Sequence, residues 1–475
     1  MAIRGPQGGI LKLIDDKQVE MIYENSLRVL EQVGVSIKSK QLLEVCAQAG
    51  CEVTRNDHRV TINRRIVHEA LEKTPRSIVL AGRDPTRDIV VENGLVYFTF
   101  GGTPNAHFID LETGAFRRPT IKDVETVTTL ADYFDTMAVI MTTAGAFDAP
   151  VKIQHLCELV AILGHTTKPI IYPAPGSEMA KKALQIAGAA MGGEEALRKR
   201  PVLSVYTEPT SPLCFSEAND NIIEFAQMGA PIVCGPCPLS GATAPMTIPG
   251  NATVGLAENL ATLVLAQTVR EGTAFIYGPH VGMIDMRNAR FCYGAPELHM
   301  GWVVQAQIAH YLGLPSFGQG GCHDAKSADA QAGAEAAMSA LLVALGGINL
   351  IHNVATTAMG DAGCPEMIVI CDEILGYVHR ILREIEVNEE TLAFEVIKRV
   401  GPGGDFLGER HTFDFFKKEL YETKIFDRTG YETWLKTGAR DIREIAKQRC
   451  KDILKTHKPE ELTAEAKAQI TDILA

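Results

Sequence analysis

Residues 202–234 open with Val202-Leu203-Ser204-Val205-Tyr206-Thr207-Glu208-Pro209 and close with Pro231-Ile232-Val233-Cys234. Between them runs Ser216-Glu217-Ala218-Asn219-Asp220-Asn221-Ile222-Ile223-Glu224-Phe225-Ala226-Gln227-Met228, stopped by Gly229. A short apolar run that ends at a charged residue and proline reads as a buried strand, and the middle segment has helical spacing. Strand, helix and strand in that order call for parallel strands joined by a crossover helix. The same texture extends in both directions. Further strand-like runs are 138–143, 169–173, 274–278, 315–318 and 348–354, and helix-like runs are 154–163, 252–270, 296–312 and 329–344. That makes seven units, with an eighth strand to come from Tyr97–Phe100 or from Met367–Cys371. The expected fold is α/β, a (β/α)8 TIM-type barrel, with an open doubly wound sheet as the alternative.

The flanks differ in texture. Asp15-Asp16 can cap a helix carrying Val19, Ile22, Leu27, Leu30 and Val33, stopped by Gly34, and a second helix runs over 41–49. Residues 52–62 and 78–100 suggest small antiparallel strands with turns at Arg83-Asp84-Pro85 and Glu92-Asn93-Gly94, and Asp110–Gly114 is hairpin-like. The expected division is 1–122 for N-terminal helices and small strands, 123–383 for the barrel core, and 384–475 for a helical region packed on it.

The chain has 475 residues, with 46 Lys+Arg against 58 Asp+Glu, a net charge of −12. An acidic surface argues against a nucleic-acid partner and is compatible with a cationic small molecule. Hydrophobic residues at 46% can form a large core without disulfides or structural metal. Eleven scattered cysteines read as reduced thiols. The N-terminal residues lack a signal-peptide core, and the apolar stretch 338–351 is too short to span a bilayer. A cytoplasmic protein without a membrane segment is expected, and a barrel of this size is compatible with a homo-oligomer.

Several motifs fail on context. Cys234-Gly235-Pro236-Cys237 spells a redox pair, but a loop follows where a helix should start. There is no phosphate loop, and Gly401–Gly408 does not lead from a strand into a helix. Polar and aromatic residues gather instead just past the strand ends, where barrel enzymes keep their sites. They are Tyr206 to Glu208, Tyr277 to His280, Gly318 to Asp324, and His352-Asn353.

Gly101-Gly102-Thr103-Pro104-Asn105, the segment from Gly318 to Asp329 running into Gln331-Ala332-Gly333-Ala334-Glu335, and Gly401–Thr412 resemble the trimethylamine methyltransferase superfamily over nearly the whole chain. The resemblance implies a (β/α)8 barrel that moves a methyl group from a methylamine to the Co(I) corrinoid of a small partner protein. A methylcorrinoid:tetrahydrofolate or thiol methyltransferase would then act on that partner. One branch carries pyrrolysine, but this chain is written in the twenty standard residues. A quaternary ammonium already bears its charge and has less need of that residue. The expected substrate is therefore glycine betaine, then proline betaine, carnitine or γ-butyrobetaine.

On this reading cobalt is the nucleophile, so the chain supplies no catalytic nucleophile, and it holds no metal or cofactor of its own. A quaternary ammonium has no N–H to donate and is held by ring faces and carboxylates. The candidate rings are Tyr97, Phe98, Phe100, Tyr206 and Tyr277, although Phe98 and Phe100 share a strand face that could be core. The candidate carboxylates are Glu208 and Asp324. Arg287, Arg290, His280, His352 and Asn353 are candidates for a betaine carboxylate. Gly320, Gly321, Gly403, Gly404 and His411 are expected to face the corrinoid. The alternatives are a metal-dependent barrel enzyme using Cys322, His323 or His352, and a betaine-binding subunit without catalysis.

Overall fold

A computed structural model describes residues 2–54, 58–92 and 94–475. Asn93, in one expected turn, and residues 55–57, within one expected strand segment, lie outside the described residues.

Eight strands form one parallel sheet: β1 Tyr97–Phe100, β2 Met137–Ile140, β3 Ile170–Pro173, β4 Leu203–Thr207, β5 Ile232–Cys234, β6 Phe275–Tyr277, β7 Phe317–Gln319 and β8 Leu350–Val354. Each strand pairs with its successor, β8 returns to β1 through Leu350 and Tyr97, and a bridge between Tyr277 and Ser316 joins β6 to β7. The sheet is thereby a closed barrel. A principal helix follows each strand: α1 Ile121–Tyr133, α2 Gln154–Leu163, α3 Gly176–Met191, α4 Asn221–Met228, α5 Ile248–Val269, α6 Pro296–Leu312, α7 Ala330–Gly346 and α8 Pro365–Leu382, with a short extra helix Glu194–Lys199 after α3.

The eighth strand is thus Tyr97–Phe100, which lies upstream of residue 123. Met367–Cys371 is instead the first part of α8. Pro365 starts that helix, and Met367, Ile370, Ile374 and Val378 bury at helical spacing. A short apolar run alone does not separate these two outcomes.

Alternation sends one set of side chains into the lumen. Tyr97, Val139, Met141, Ile171, Tyr206, Val233, Ile276, Phe317 and Leu350 form one apolar cluster there. The hairpin Ile78–Leu80 and Ile89–Val91 joins this cluster and stops the lower end of the barrel. The Tyr97 hydroxyl donates at that end, with the Val90 carbonyl at 2.8 Å and that of Ile3 at 3.1 Å.

Helix α5 is long and apolar enough to cross a membrane by length and composition, with mean hydropathy 1.2. It lies between the barrel wall and the N-terminal helices Asp16–Arg28, Lys40–Gln48 and Arg64–Lys73, so it is apolar on all sides because it is buried on all sides. The helix Asp16–Arg28 begins with an Asp15–Gln18 capping box, and the turn Val29–Val33 that follows it ends at Gly34, where φ is +75°.

The C-terminal region divides in two. Helix Ile442–Thr456 packs on α8 and α1, and Ala464–Leu474 on α3 and α2. Residues 383–445 contain no buried side chain. The last two helices bury side chains against the barrel, residues 421–428 dock on α8 through Lys424, Ile425 and Phe426, and residues 383–420 stand out from it.

Candidate active site

In β4 the side chains of Leu203 and Val205 face the helices, and those of Ser204 and Tyr206 face the lumen. Thr207 faces outward and donates its hydroxyl to Asn221 Oδ1 at 2.9 Å. Tyr206 donates to the Gly235 carbonyl at 2.8 Å, and its ring meets Phe317 at 5.8 Å between centroids. Glu208 follows at the rim. Its side chain is exposed, yet burial pushes its carboxyl up to about 7, tempered by the Tyr206 hydroxyl beside it. The two facts agree for a carboxylate that meets solvent at the bottom of a recess deep within the protein.

The other walls of the recess come from neighbouring loops. Cys237, past β5, is half-buried, and burial, then the nearby Glu208 and Glu258, raise its thiol well above the ordinary range. Tyr293, in the loop after β6, is half-buried beside Cys322, Cys237 and Glu208, with its ring 4.8 Å from that of Phe291. Two hydrogen bonds set the backbone of this tyrosine: Asp324 accepts the Tyr293 N–H at 2.7 Å and the Gly294 N–H at 3.0 Å. Asp324 in turn donates its own N–H to Glu335 at 2.7 Å.

The end of β8 and the loop after it hold the opposite side under strain. Asn353, Ala355, Ala358 and Met359 have φ of 66°, 66°, 56° and 63°. Each such residue costs about 1 kcal/mol or more and persists only where its surroundings force it. The surroundings here are backbone bonds from Ala355 to the Gly321 carbonyl, Ala358 to that of Ala325, and Met359 to that of His323. Gly360 follows at φ +80°, and a Cβ there would lie 2.6 Å from the Tyr293 hydroxyl. The loop thus shapes the space in which Tyr293 sits.

Beneath lies a floor of neutral rings. His352 stacks on Phe317 at 4.0 Å and donates Nδ1–H to the Gly318 carbonyl at 2.6 Å. His280 meets His352 edge-on at 5.6 Å and Trp302 at 4.8 Å. Burial holds His280 down at about 4 and His352 well below its ordinary value. His280 Nδ1, Gln319 Oε1 and Thr356 Oγ1 are buried with no hydrogen-bond partner among the described residues. Such open valences suit a bound molecule or water.

Tyr206, Glu208, His280 and His352 therefore come together at the mouth. Asn353 adjoins them and packs its amide against Gly102, where a Cβ would lie 1.9 Å from Oδ1. Arg290 is exposed on the hairpin Ile284–Asp285/Arg290–Phe291 of the same loop as Tyr293, and Arg287 is taken by Asp285 at 2.6 Å.

Other expectations are corrected. Phe98 and Phe100 face the helix layer, Phe98 lying 5.4 Å from His379 of α8, so neither reaches the lumen. Tyr277 also points outward and bonds Gln305 of α6. Tyr97 faces the lumen at the stoppered end, away from the mouth. Asp324 spends its carboxylate on two backbone N–H groups and acts on the site only through Tyr293. Gly320 and Gly321 are buried between β8 and α7, where a Cβ at Gly320 would meet Ile351 at 2.9 Å, so they offer no docking face. Gly403, Gly404 and His411 lie on an arm that leaves the barrel at the end of α8 away from the mouth. His411 bonds the Glu390 carbonyl within that arm and stacks on Phe415. Tyr293, Cys237 and the strained loop were missed, and Gln319 was marked only as part of the stretch Gly318 to Asp324. The only sequence signal for Tyr293 was an aromatic residue in a loop after a strand, and Phe291 shares it.

Chemically, the mouth can hold a cation between a carboxylate and rings, and it has no activated nucleophile. Burial raises the thiols of Cys234, Cys237 and Cys322 alike, which makes them poor thiolates. Among the described residues no three of His, Cys, Asp and Glu gather as metal ligands would. A closed barrel with polar and aromatic residues gathered at the carboxyl ends of its strands is the arrangement of barrel enzymes.

Comparison with known proteins narrows this class. Residues 5–475 match the family model for trimethylamine methyltransferase (MTTB). The chain is 33% identical to trimethylamine methyltransferase MttB of Desulfitobacterium hafniense (strain DSM 10664 / DCB-2), over 97% of this chain and 92% of that protein. It is 30% identical to the glycine betaine methyltransferase of Desulfitobacterium hafniense (strain Y51), over 98% and 96%. Trimethylamine methyltransferase MttB of Methanosarcina thermophila is also 30% identical, over 96% and 95%. The chain belongs to the trimethylamine methyltransferase family and is a methyltransferase. Membership replaces the readings of a metal-dependent barrel enzyme and of a subunit without catalysis.

Proposed function

We propose that this methyltransferase takes a methyl group from a quaternary ammonium compound, glycine betaine first, and passes it to the corrinoid of a small partner protein. One observation carries this reading: Glu208 is a solvent-reached carboxylate deep in a recess beside Tyr206 and Tyr293, and burial and a tyrosine hydroxyl, not an Arg or Lys, set its ionisation. A permanent cation supplies the missing partner. A molecule without N–H groups suits ring faces, each worth about 0.5–2 kcal/mol. The sequence and family resemblance add to this reading, because the chain lacks pyrrolysine.

When docked, the corrinoid supplies a Co(I) nucleophile that takes the methyl group, and dimethylglycine is the product from glycine betaine. The chain's own residues bind, orient and desolvate. Glu208 and the two tyrosines fix the trimethylammonium head, and Asp324 and Glu335 hold Tyr293 in place through its backbone. Arg290, exposed on the mouth hairpin, is offered to the betaine carboxylate as a fork. Its guanidinium has no ion-pair partner among the described residues. The neutral histidine floor carries no charge to repel the cation. The methyl group to be lost must point out of the mouth, since the lower end of the barrel is stopped.

Isothermal titration with glycine betaine, proline betaine, carnitine, γ-butyrobetaine and trimethylamine tests the choice. A quaternary compound is expected to bind and trimethylamine not to. Tight trimethylamine binding with no quaternary ligand would overturn the reading.

A further inference from the structure

Helix α8 ends at Leu382, and the chain then makes an excursion before it returns to the barrel. The excursion carries the helices Glu389–Leu392, Phe394–Val400 and Arg410–Glu419. It is tied down at its root, where Arg380 donates to the Glu419 carbonyl at 2.9 Å and Arg383 donates to that of Lys418. The arm is ordered internally. Asn388 caps its first helix, and Arg399 pairs with Glu409. Yet no residue from 383 to 420 is buried, and Phe394, Ile397, Leu407, Phe413, Phe416 and Leu420 all stand open, Leu407 at 87% and Phe413 at 67%. Phe413, Phe416 and Leu420 fall at i, i+3 and i+7, one stripe along one helix. Exposed aromatic side chains in such a row mark a contact surface.

A second unpartnered surface lies beside the root. Helices α7 and α8 border an apolar groove of about 840 Å³, lined by Ala334, Ala337, Leu341, Ile374, Tyr377 and Ile381, among others. Outer helices of a barrel usually meet water with charged side chains. The one charged residue of α7, Glu335, is instead engaged by the Asp324 N–H and by Gln331. Phe426, Asp441, Ile442 and Arg443 of the returning chain close one side of the groove, and no residue from 382 to 425 lines it. One chain therefore carries both a projecting apolar stripe and an apolar cleft, and neither fills the other within the chain.

We infer that a second copy of this chain covers both, the arm of each protomer lying in the α7–α8 groove of the other about a two-fold axis. Reciprocal exchange closes the assembly, since each copy gives one arm and receives one. Each arm presents on the order of 500 Å² of apolar side chain, at the upper end for a lone chain. Two arms and two grooves would bury on the order of 1,400 Å², within the range of a standard stable interface.

Sedimentation equilibrium of the full chain tests the inference, with two variants whose changed residues are not buried in the single chain. One carries Phe413→Glu with Phe416→Glu in the arm, and the other carries Ala334→Arg with Ile381→Glu in the groove. The wild type is expected to be a dimer, and each variant is expected to raise its dissociation constant by roughly 30-fold or more, with far-UV circular dichroism unchanged. Mixed, the two variants are expected to form a heterodimer, because the intact arm of one meets the intact groove of the other. A monomeric wild type, as would follow if another protein covers these surfaces, overturns the inference. So does a groove variant that stays dimeric, or a mixture that forms no heterodimer.

Discussion

Tyr97 and Tyr206 are lumen-facing tyrosines on parallel strands of one barrel, and they do opposite work. At the lower end, Tyr97 gives its hydroxyl to two backbone carbonyls beneath a hairpin that stops the lumen. At the upper end, Tyr206 stands beside an exposed carboxylate, unpartnered polar atoms and a loop with four non-glycine residues at positive φ. The lower tyrosine has its hydroxyl bonded, and the upper end gathers strain and open valences. A closed barrel keeps its geometry through the filled end, which lets the open end depart from low-energy packing.

This contrast breaks most readily at Glu208. Glu208→Gln keeps the shape and removes the charge, and kcat/KM with glycine betaine is expected to fall roughly 100-fold, as for loss of a charge-assisted contact. The fold should not suffer. A carboxyl raised above its unfolded value destabilises the folded state once it ionises, so melting of the variant should exceed wild type at pH 8 and match it near pH 4. Steady-state kinetics and thermal melts at both pH values check the pair of effects.

The titration of wild-type Glu208 sharpens the same point. With the carboxyl at about 7, the binding-competent anion prevails at pH 8 and is a minority at pH 6. The dissociation constant for a quaternary ligand is expected to rise about 10-fold over that interval, and Glu208→Gln should abolish the slope. Calorimetry at the two pH values reads both.

Tyr293 offers a smaller test. Tyr293→Ala is expected to weaken binding by about 1 kcal/mol, or roughly 5-fold, and Tyr293→Phe to restore most of it, since the ring face carries the attraction. Binding isotherms of the two variants separate the ring from the hydroxyl.

Tyr97→Phe at the closed end should leave kcat and KM unchanged while lowering stability by about 1 kcal/mol through loss of the hydrogen bond to the Val90 carbonyl. Loss of activity from this variant would dissolve the contrast between the ends.

The barrel was legible because alternation of buried strands and helices is a strong, repeated signal, as in Val202–Cys234. The eighth strand was ambiguous because Met367–Cys371 is as apolar as Tyr97–Phe100, and only the proline at 365 and the closure of the sheet decide between them. Glu208, Tyr206, His280 and His352 were legible because a residue at a strand end has little choice of location. Phe98, Phe100 and Tyr277 were misplaced for want of register: a single step along a strand moves a side chain from lumen to helix layer. Tyr293 and the strained loop were invisible, since loop geometry depends on contacts such as Asp324 with Tyr293 that join residues 31 apart in sequence. The arm carries helical spacing and many apolar residues, which in sequence look like those of any packed helix.

The most direct measurement is to mix the protein with reduced cob(I)alamin, and separately with a small corrinoid protein in its reduced Co(I) form, in the presence of glycine betaine. Loss of the Co(I) absorbance with formation of methylcobalamin, dependent on betaine and absent with trimethylamine, is the expected result. No loss of Co(I) with any quaternary amine and either acceptor, or a loss driven by trimethylamine alone, would contradict transfer from a quaternary ammonium held at Glu208.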